Sequence, residues 1–266
     1  MAYGGCIDIS NNKGMKATGG KITIENGKVS EVYHLKIEDS MYTGEPDNLG
    51  ITEQVGCYTI NEYDNYISIE SYSASESCPR DVEIPSTINN KNVEIIEDSA
   101  FDDWEHKITS VIIPNSVETI GSDAFAGNLL ESVSIPNSVE TISEYAFAEN
   151  LLESVSISNS VETISEYAFA YNLLESVTIP NSVKTIKSNA FNYNKLESVE
   201  IGSGIISIEE NAFGQDTDEV WDIIYGPNNI GTVNINAPCY QIQYYNQYSI
   251  FGNTTVKVKC IVVLTD

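Results

Sequence analysis

Apolar and polar positions along the middle of this chain repeat with a period of 22 residues. In Leu130-Glu131-Ser132-Val133-Ser134-Ile135 the residues at 130, 133 and 135 are apolar and those between are polar. Val133 and Ile135 keep the two-residue alternation of a strand with one buried face. Pro136 lacks an amide hydrogen and ends that strand. Val139, Ile142, Ala146 and Phe147 supply further inward positions. The same signals return in register. Ala-Phe stands at 100–101, 124–125, 146–147, 168–169, 190–191 and 212–213, with spacings of 24 and then 22 residues. Ser-Val-x-Ile stands at 110–113, 132–135, 154–157, 176–179 and 198–201, and Pro-Asn-Ser-Val at 114–117, 136–139 and 180–183, with Ser158 in place of one proline. A unit holding about eight apolar residues cannot bury them alone. Stacked at ~4.8 Å per strand, the copies bury one another and build a repeat solenoid of the leucine-rich-repeat kind, with a parallel sheet on one side.

Outside this stretch the pattern predicts other elements. Val82 to Pro85 starts an earlier coil, and the longer interval to Ala100 places an insertion loop at Asn89 to Val93. Val233-Asn234-Ile235 reads as a last strand, after extra residues between about Gly214 and Asn228. Pro238 to Phe251, rich in Tyr and Gln, reads as a cap, which an open solenoid end requires. Lys21 to Glu25 and Lys28 to Ile37 alternate around Asn26-Gly27, a hairpin signal. Tyr58 to Asn61 and Tyr66 to Tyr72 read as a strand pair capping the first coil. The expected organisation is a small β-rich segment at 1–50, an N-terminal cap at 51–81, the solenoid at 82–213, and an insertion, last strand and cap at 214–266.

The repeating unit resembles the BspA-like (Treponema-type) leucine-rich repeats, over about residues 57–251. The resemblance rests on Leu-x-Ser-Val-x-Ile-Pro-x-Ser-Val-x-x-Ile-x-x-x-Ala-Phe and on the lead-in Ile84-Pro85-Ser86-Thr87-Ile88. It implies a bacterial cell-surface or secreted protein concerned with adhesion to host proteins or other cells. That is a family analogy, because function resides in sites and not in folds. A structural spacer or surface-assembly subunit displaying another module is the alternative.

Charge narrows the partners. Thirteen Lys and Arg stand against 39 Asp and Glu, a formal net charge of −26. This excludes phosphate-backbone binding to nucleic acid and docking on anionic lipid through a basic patch. It leaves open a cationic partner, a divalent ion or plain solubility. No apolar run in the given chain is long enough for direct membrane insertion. Met1 to Cys6 has no signal-peptide pattern, so we expect that an export signal was trimmed away.

Chemistry for catalysis is not evident. The two histidines, His34 and His106, accompany no nucleophile elbow, Walker loop or dinucleotide fingerprint. We therefore expect no enzyme and no cofactor. Asp102 to His106 and Asp216 to Glu219 are acidic loops, read as solvated surface and not as metal sites. The cysteines Cys57/Cys78 and Cys239/Cys260 bracket the two flanks as candidate disulfides, buried free thiols being the alternative; Cys6 is left over.

Three sets of repeated residues remain. Asn128, Asn150, Asn172 and Asn194 share a column and read as structural amides at an interior turn. On the strand face, Glu131, Glu153, Glu175 and Glu197 form one outward column, and Ser134, Ser156, Thr178 and Glu200 a second. Like charges in register repel, so a retained column is a candidate site for a protein or glycan ligand carrying cationic groups. The alternative is duplication, which copies every residue whether used or not. Tyr145, Tyr167, Tyr171 and Tyr193, read as outward, form a second candidate face.

Overall fold

In a computed structural model, residues 51–73, 75–102 and 107–214 are described throughout. Also described are the strands Lys16–Ala17, Ile22–Glu25, Lys28–Val32, Ile37–Glu38, Thr232–Pro238, Gln243–Tyr244 and Lys257–Ile261. The chain divides into two units, Met1–Thr52 and Glu53–Asp266. In the first, Ile22–Glu25 pairs antiparallel with Lys28–Val32 around Asn26-Gly27, the predicted hairpin, and Lys16–Ala17 pairs with Ile37–Glu38.

The second unit contains the solenoid. Its coils follow the 22-residue period, and among the described residues every regular element is a strand. The Ser-Val-x-Ile segments form parallel strands: Ser110–Ile112 on Asp81–Glu83, Ser132–Ser134 on Ser154–Ser156, and Ser176–Ile179 on Ser198–Ile201, which continues to Thr232–Pro238. Val133 faces Val155 and Val177 faces Val199, so apolar residues stay inward coil after coil.

The parallel pairing expected of these strands is present, and a second ladder runs beside it. Thr119–Ile120, Thr141–Ile142, Thr163–Ile164, Thr185–Ile186 and Ser207–Ile208 make an uninterrupted parallel ladder. It is bounded by Lys91–Ile96 on one side and Gln243–Tyr244 on the other. The Ser-Val-x-Ile ladder, in contrast, is broken into pieces. A two-residue strand is too short to show period-two alternation, which is why the sequence reading treated Val139 and Ile142 only as inward positions.

A third set of backbone bonds joins the Ala-Phe arms. Tyr145 N–H donates to the Glu166 carbonyl, Phe147 N–H to Ala168 and Glu149 N–H to Ala170, with the same pattern one coil earlier and one later. This geometry requires φ > 0 at two columns. Ser99, Asp123, Tyr145, Tyr167, Asn189 and Asn211 occupy one, and Gly127, Glu149, Tyr171 and Tyr193 the other, all with φ between +49° and +69°. Asn, Asp and Gly tolerate that region, whereas each other residue placed there costs ~1–2 kcal/mol.

The core is built from columns. Phe101, Phe125, Phe147, Phe169, Phe191 and Phe213 are buried and stack at centroid distances of 4.8 to 5.5 Å, with Tyr72 extending the stack at 5.2 Å. Burying each ring contributes ~2–3 kcal/mol, with a further ~0.5–1.5 kcal/mol from ring contacts. Beside it runs the asparagine column, at most 2% exposed. Asn172 Oδ1 accepts from Leu152 N–H at 3.0 Å, and its Nδ2 donates to the carbonyls of Phe147, Phe169 and Ala170. Asn128, Asn150 and Asn194 repeat this set. The structural reading of the column therefore holds.

At the N-terminal end, Tyr58–Glu62 and Tyr66–Tyr72 pair antiparallel, as the alternation predicted, and Tyr66–Tyr72 continues in parallel onto Lys91–Ile96. A disulfide joins Cys57 to Cys78 across 21 residues, a constraint worth ~2–4 kcal/mol. The expected loop at Asn89 to Val93 is instead a tight hairpin: Thr87–Ile88 pairs antiparallel with the start of Lys91–Ile96. Asn89 and Asn90 have φ of +51° and +62°, the two-residue turn that matches strand twist. Asn-Asn supplies the positive φ that an Asn-Gly turn would otherwise provide. The Cys239 and Cys6 readings, the loops at 103–106 and 216–219, and both histidines lie outside the described residues. Cys260 lies in the strand Lys257–Ile261, but its side chain is outside the description as well.

Candidate functional site

The strand face forms as the alternation predicts. Leu130, Val133 and Ile135 are buried, while Glu131, Ser132 and Ser134 are exposed, and the other coils follow except that Val155 and Ile157 are half-buried. Glu131, Glu153, Glu175 and Glu197 all reach solvent. Their backbones are tied coil to coil, with Glu153 N–H donating to the Glu131 carbonyl and Glu197 N–H to Glu175. Among the described residues no cationic side chain pairs with any of the four; the described ion pairs are Lys91–Glu62 and Lys184–Glu162. The second column, Ser134, Ser156, Thr178 and Glu200, is exposed too, and Thr178 sits opposite Glu200 in register. These positions begin in the preceding coil with Ile112, an exposed apolar residue.

At the far end of the face lies a shallow open depression lined by Asn159, Thr178, Ile179, Pro180, Asn181, Glu200, Ile201 and Gly202. Gly202 stands in the proline column because of close approach: a Cβ there would lie 2.6 Å from the Asn181 nitrogen and the Pro180 carbonyl. Asn181 Oδ1 fastens the next turn by accepting from Ser203 N–H at 2.8 Å. The depression is thus a by-product of tightened coils with a polar rim.

The tyrosines lie on another arm of the coil. Tyr145 stacks on Tyr167 at 4.7 Å, and Tyr171 on Tyr193 at 4.8 Å, with rings within 10° of parallel. Tyr145, Tyr167 and Tyr171 are half-buried. Tyr193 corrects the outward reading: it is 2% exposed, because the column piles its ring against Tyr171 instead of displaying it. Burial first, then the Tyr167 phenol and the carboxylates of Glu144, Glu166 and Asp123, push the Tyr145 hydroxyl up to about 12. Tyr171 is raised further, by burial and then by the phenols of Tyr193, Tyr167 and Tyr145 and the carboxylate of Glu149. All four tyrosines therefore belong to one neighbourhood. Burial and the carboxylates of Asp102, Glu144, Asp98 and Glu149 raise Asp123 beside them.

Among the described residues no group of three or more His, Cys, Asp or Glu is placed to hold a metal ion. Among them no helix is long and apolar enough to cross a membrane.

Residues 94–218 match the BspA type leucine rich repeat region in six copies. The solenoid of this chain is a BspA-type leucine-rich repeat. A crystal structure of a leucine-rich repeat protein from Bacteroides ovatus aligns at 17% identity and TM-score 0.49, covering 79% of this chain and 76% of that one. A leucine rich cell surface protein from Faecalibacterium prausnitzii aligns at 18% identity and TM-score 0.33, covering 70% of each chain. The pneumococcal vaccine antigen PcpA aligns at 14% identity and TM-score 0.44, covering 80% of this chain and 51% of that one. No curated protein matches the sequence. The BspA-type repeat leaves the occupant of the strand face and of the tyrosine arm unassigned.

Proposed function

We propose that this chain is a non-enzymatic, extracellular or cell-surface binding protein, with adhesion as its role. Its ligand, a protein or glycan bearing cationic groups, contacts the strand face. The observation that carries this reading is the column Glu131, Glu153, Glu175 and Glu197. Four exposed carboxylates are held in register on hydrogen-bonded coils, with no described cation paired to them. In-register like charges destabilise a sheet, and a cationic ligand relieves that repulsion. The flanking Ser134, Ser156 and Thr178 hydroxyls both donate and accept, which suits a polar ligand surface. Coulomb attraction at such a face is screened within ~8 Å at physiological salt.

The test is a binding screen against matrix proteins and glycans, with and without calcium, followed by a salt series. Binding through this face weakens steeply as salt rises, chiefly by slower association. Reversal of charge in Glu153→Lys/Glu175→Lys weakens it further while the fold is retained. A ligand indifferent to both sinks the reading. The near-identity of coils 129–150 and 151–172 favours the second reading, a spacer. In that case, removing one coil leaves function intact.

A further inference from the structure

We propose that Tyr145, Tyr167 and Tyr171, with Glu149 and Glu166, form a docking patch for arginine side chains of a partner protein. This patch is independent of the glutamate column. Its tyrosines lie on the Ala-Phe arm of the coil, after the Thr-Ile strand, and the groups acting on them are Glu144, Glu149, Glu166 and Asp123.

Three observations point the same way. The first is conformational. Each of the four tyrosines has a φ between +49° and +57°, where a bulky side chain is disfavoured. The same two columns hold Asp123, Asn189, Asn211 and Gly127 elsewhere, so the backbone does not call for tyrosine there.

The second concerns copying. Glu144-Tyr145-Ala146-Phe147-Ala148 recurs as Glu166-Tyr167-Ala168-Phe169-Ala170, which duplication explains. It does not explain the next position, where Glu149 is followed by Tyr171 and Tyr193, or the change from Tyr167 to Asn189. One stack spans coils 129–150 and 151–172, and the other spans 151–172 and 173–194. The two stacks are thus offset by one coil and meet at Tyr167 and Tyr171.

The third is chemical. Tyr193 covers one face of Tyr171, and the residue preceding Tyr171 in its column, on the opposite side, is the exposed Glu149. Glu149 N–H donates to the Ala170 carbonyl, which fixes the two positions as neighbours. A guanidinium lies flat on a phenol ring and presents its donor fork edge-on to a carboxylate. A planar ring beside a carboxylate on a chain of net charge −26 complements that cation. A lysine ammonium matches the charge but not the plane.

The experiment uses the full chain and two blocked peptides, hexa-arginine and hexa-lysine, titrated by calorimetry at physiological salt. The patch predicts that hexa-arginine binds about fivefold more tightly than hexa-lysine. Tyr167→Asn/Tyr171→Gly, which borrows residues the columns already use, removes that preference. Glu153→Lys/Glu175→Lys weakens both peptides through charge and leaves the arginine preference in place, which separates failure here from failure of the strand-face reading. Equal affinities for the two peptides overturn the proposal, and so does a preference that survives the tyrosine substitutions. Should that variant misfold, the ring resonances of the wild-type tyrosines decide the matter. Hexa-arginine shifts those of Tyr145, Tyr167 and Tyr171, and silence there overturns the proposal.

Discussion

At the scale of single residues, two columns with opposite chemistry carry each coil. Phe147 fills space between Phe125 and Phe169, so Phe147→Ala opens a cavity and is expected to cost ~3–5 kcal/mol. Asn172 is small, yet its amide serves one N–H and three carbonyls in two coils. Asn172→Ala strands those groups and is expected to cost ~3 kcal/mol or more. Denaturant unfolding of both variants checks this, and a loss below ~1 kcal/mol for either contradicts the packing described. Tyr58 and Tyr145 add a pH dependence. Burial, first among the causes, raises both from 10.0 to about 12. The folded phenols keep their protons where unfolded ones lose them, so their contribution is complete below pH 10 and is lost as pH rises toward 12. A component of the phenolate absorbance that appears only together with unfolding is the expected signature of these two residues. The inward residues and the glutamate column were legible because period-two alternation fixes which way a side chain points. Tyr193 was misread, because alternation says nothing about a left-handed turn where rings pile on one another.

At the scale of elements, one coil is the exchangeable unit. Each coil touches its two neighbours through three sets of backbone bonds, so interface energies add approximately along the stack. Deleting residues 151–172 brings Asn150 against Leu173, the same type of junction as Asn150-Leu151 or Asn172-Leu173. The expected result is a folded chain, shorter by ~4.8 Å, with a lower melting temperature and unchanged strand content. Circular dichroism and small-angle scattering would show it, and loss of cooperative unfolding would count against the coil boundaries. The same junction unites Tyr145 with Asn189, so this deletion also dismantles both tyrosine stacks. The Ser-Val-x-Ile strands were readable from their length. The Thr-Ile ladder was not, because its strands are set by stacking and not by local pattern. The Asn89-Asn90 hairpin was mistaken for a loop because neither residue is glycine.

At the scale of the whole chain, charge opposes compactness. With a net charge of −26, self-repulsion extends across the solenoid at low ionic strength, where the Debye length is ~30 Å at 0.01 M against ~8 Å at 0.15 M. The melting temperature is expected to rise over that salt range. Glu131→Gln/Glu153→Gln/Glu175→Gln/Glu197→Gln is expected to reduce the rise by relieving one column. A thermal melt series measures both, and a flat salt response would show that the carboxylates lie too far apart to matter. The solenoid was legible from spacing, and the repeat family from the resemblance carried by the Leu-x-Ser-Val-x-Ile-Pro unit and the lead-in at Ile84 to Ile88. A ligand was not, since complementarity to an unknown partner leaves no periodic trace.

The ladders also set how the solenoid yields to force. Pulling its two ends apart loads the parallel strands at one rim at a time, in the manner of a zip and not of a rope. Each coil that peels away releases 22 residues, or ~75 Å of slack chain, while its neighbours stay folded. Near-identical coils give way at similar tension, so extension proceeds in even steps, each of which dissipates work.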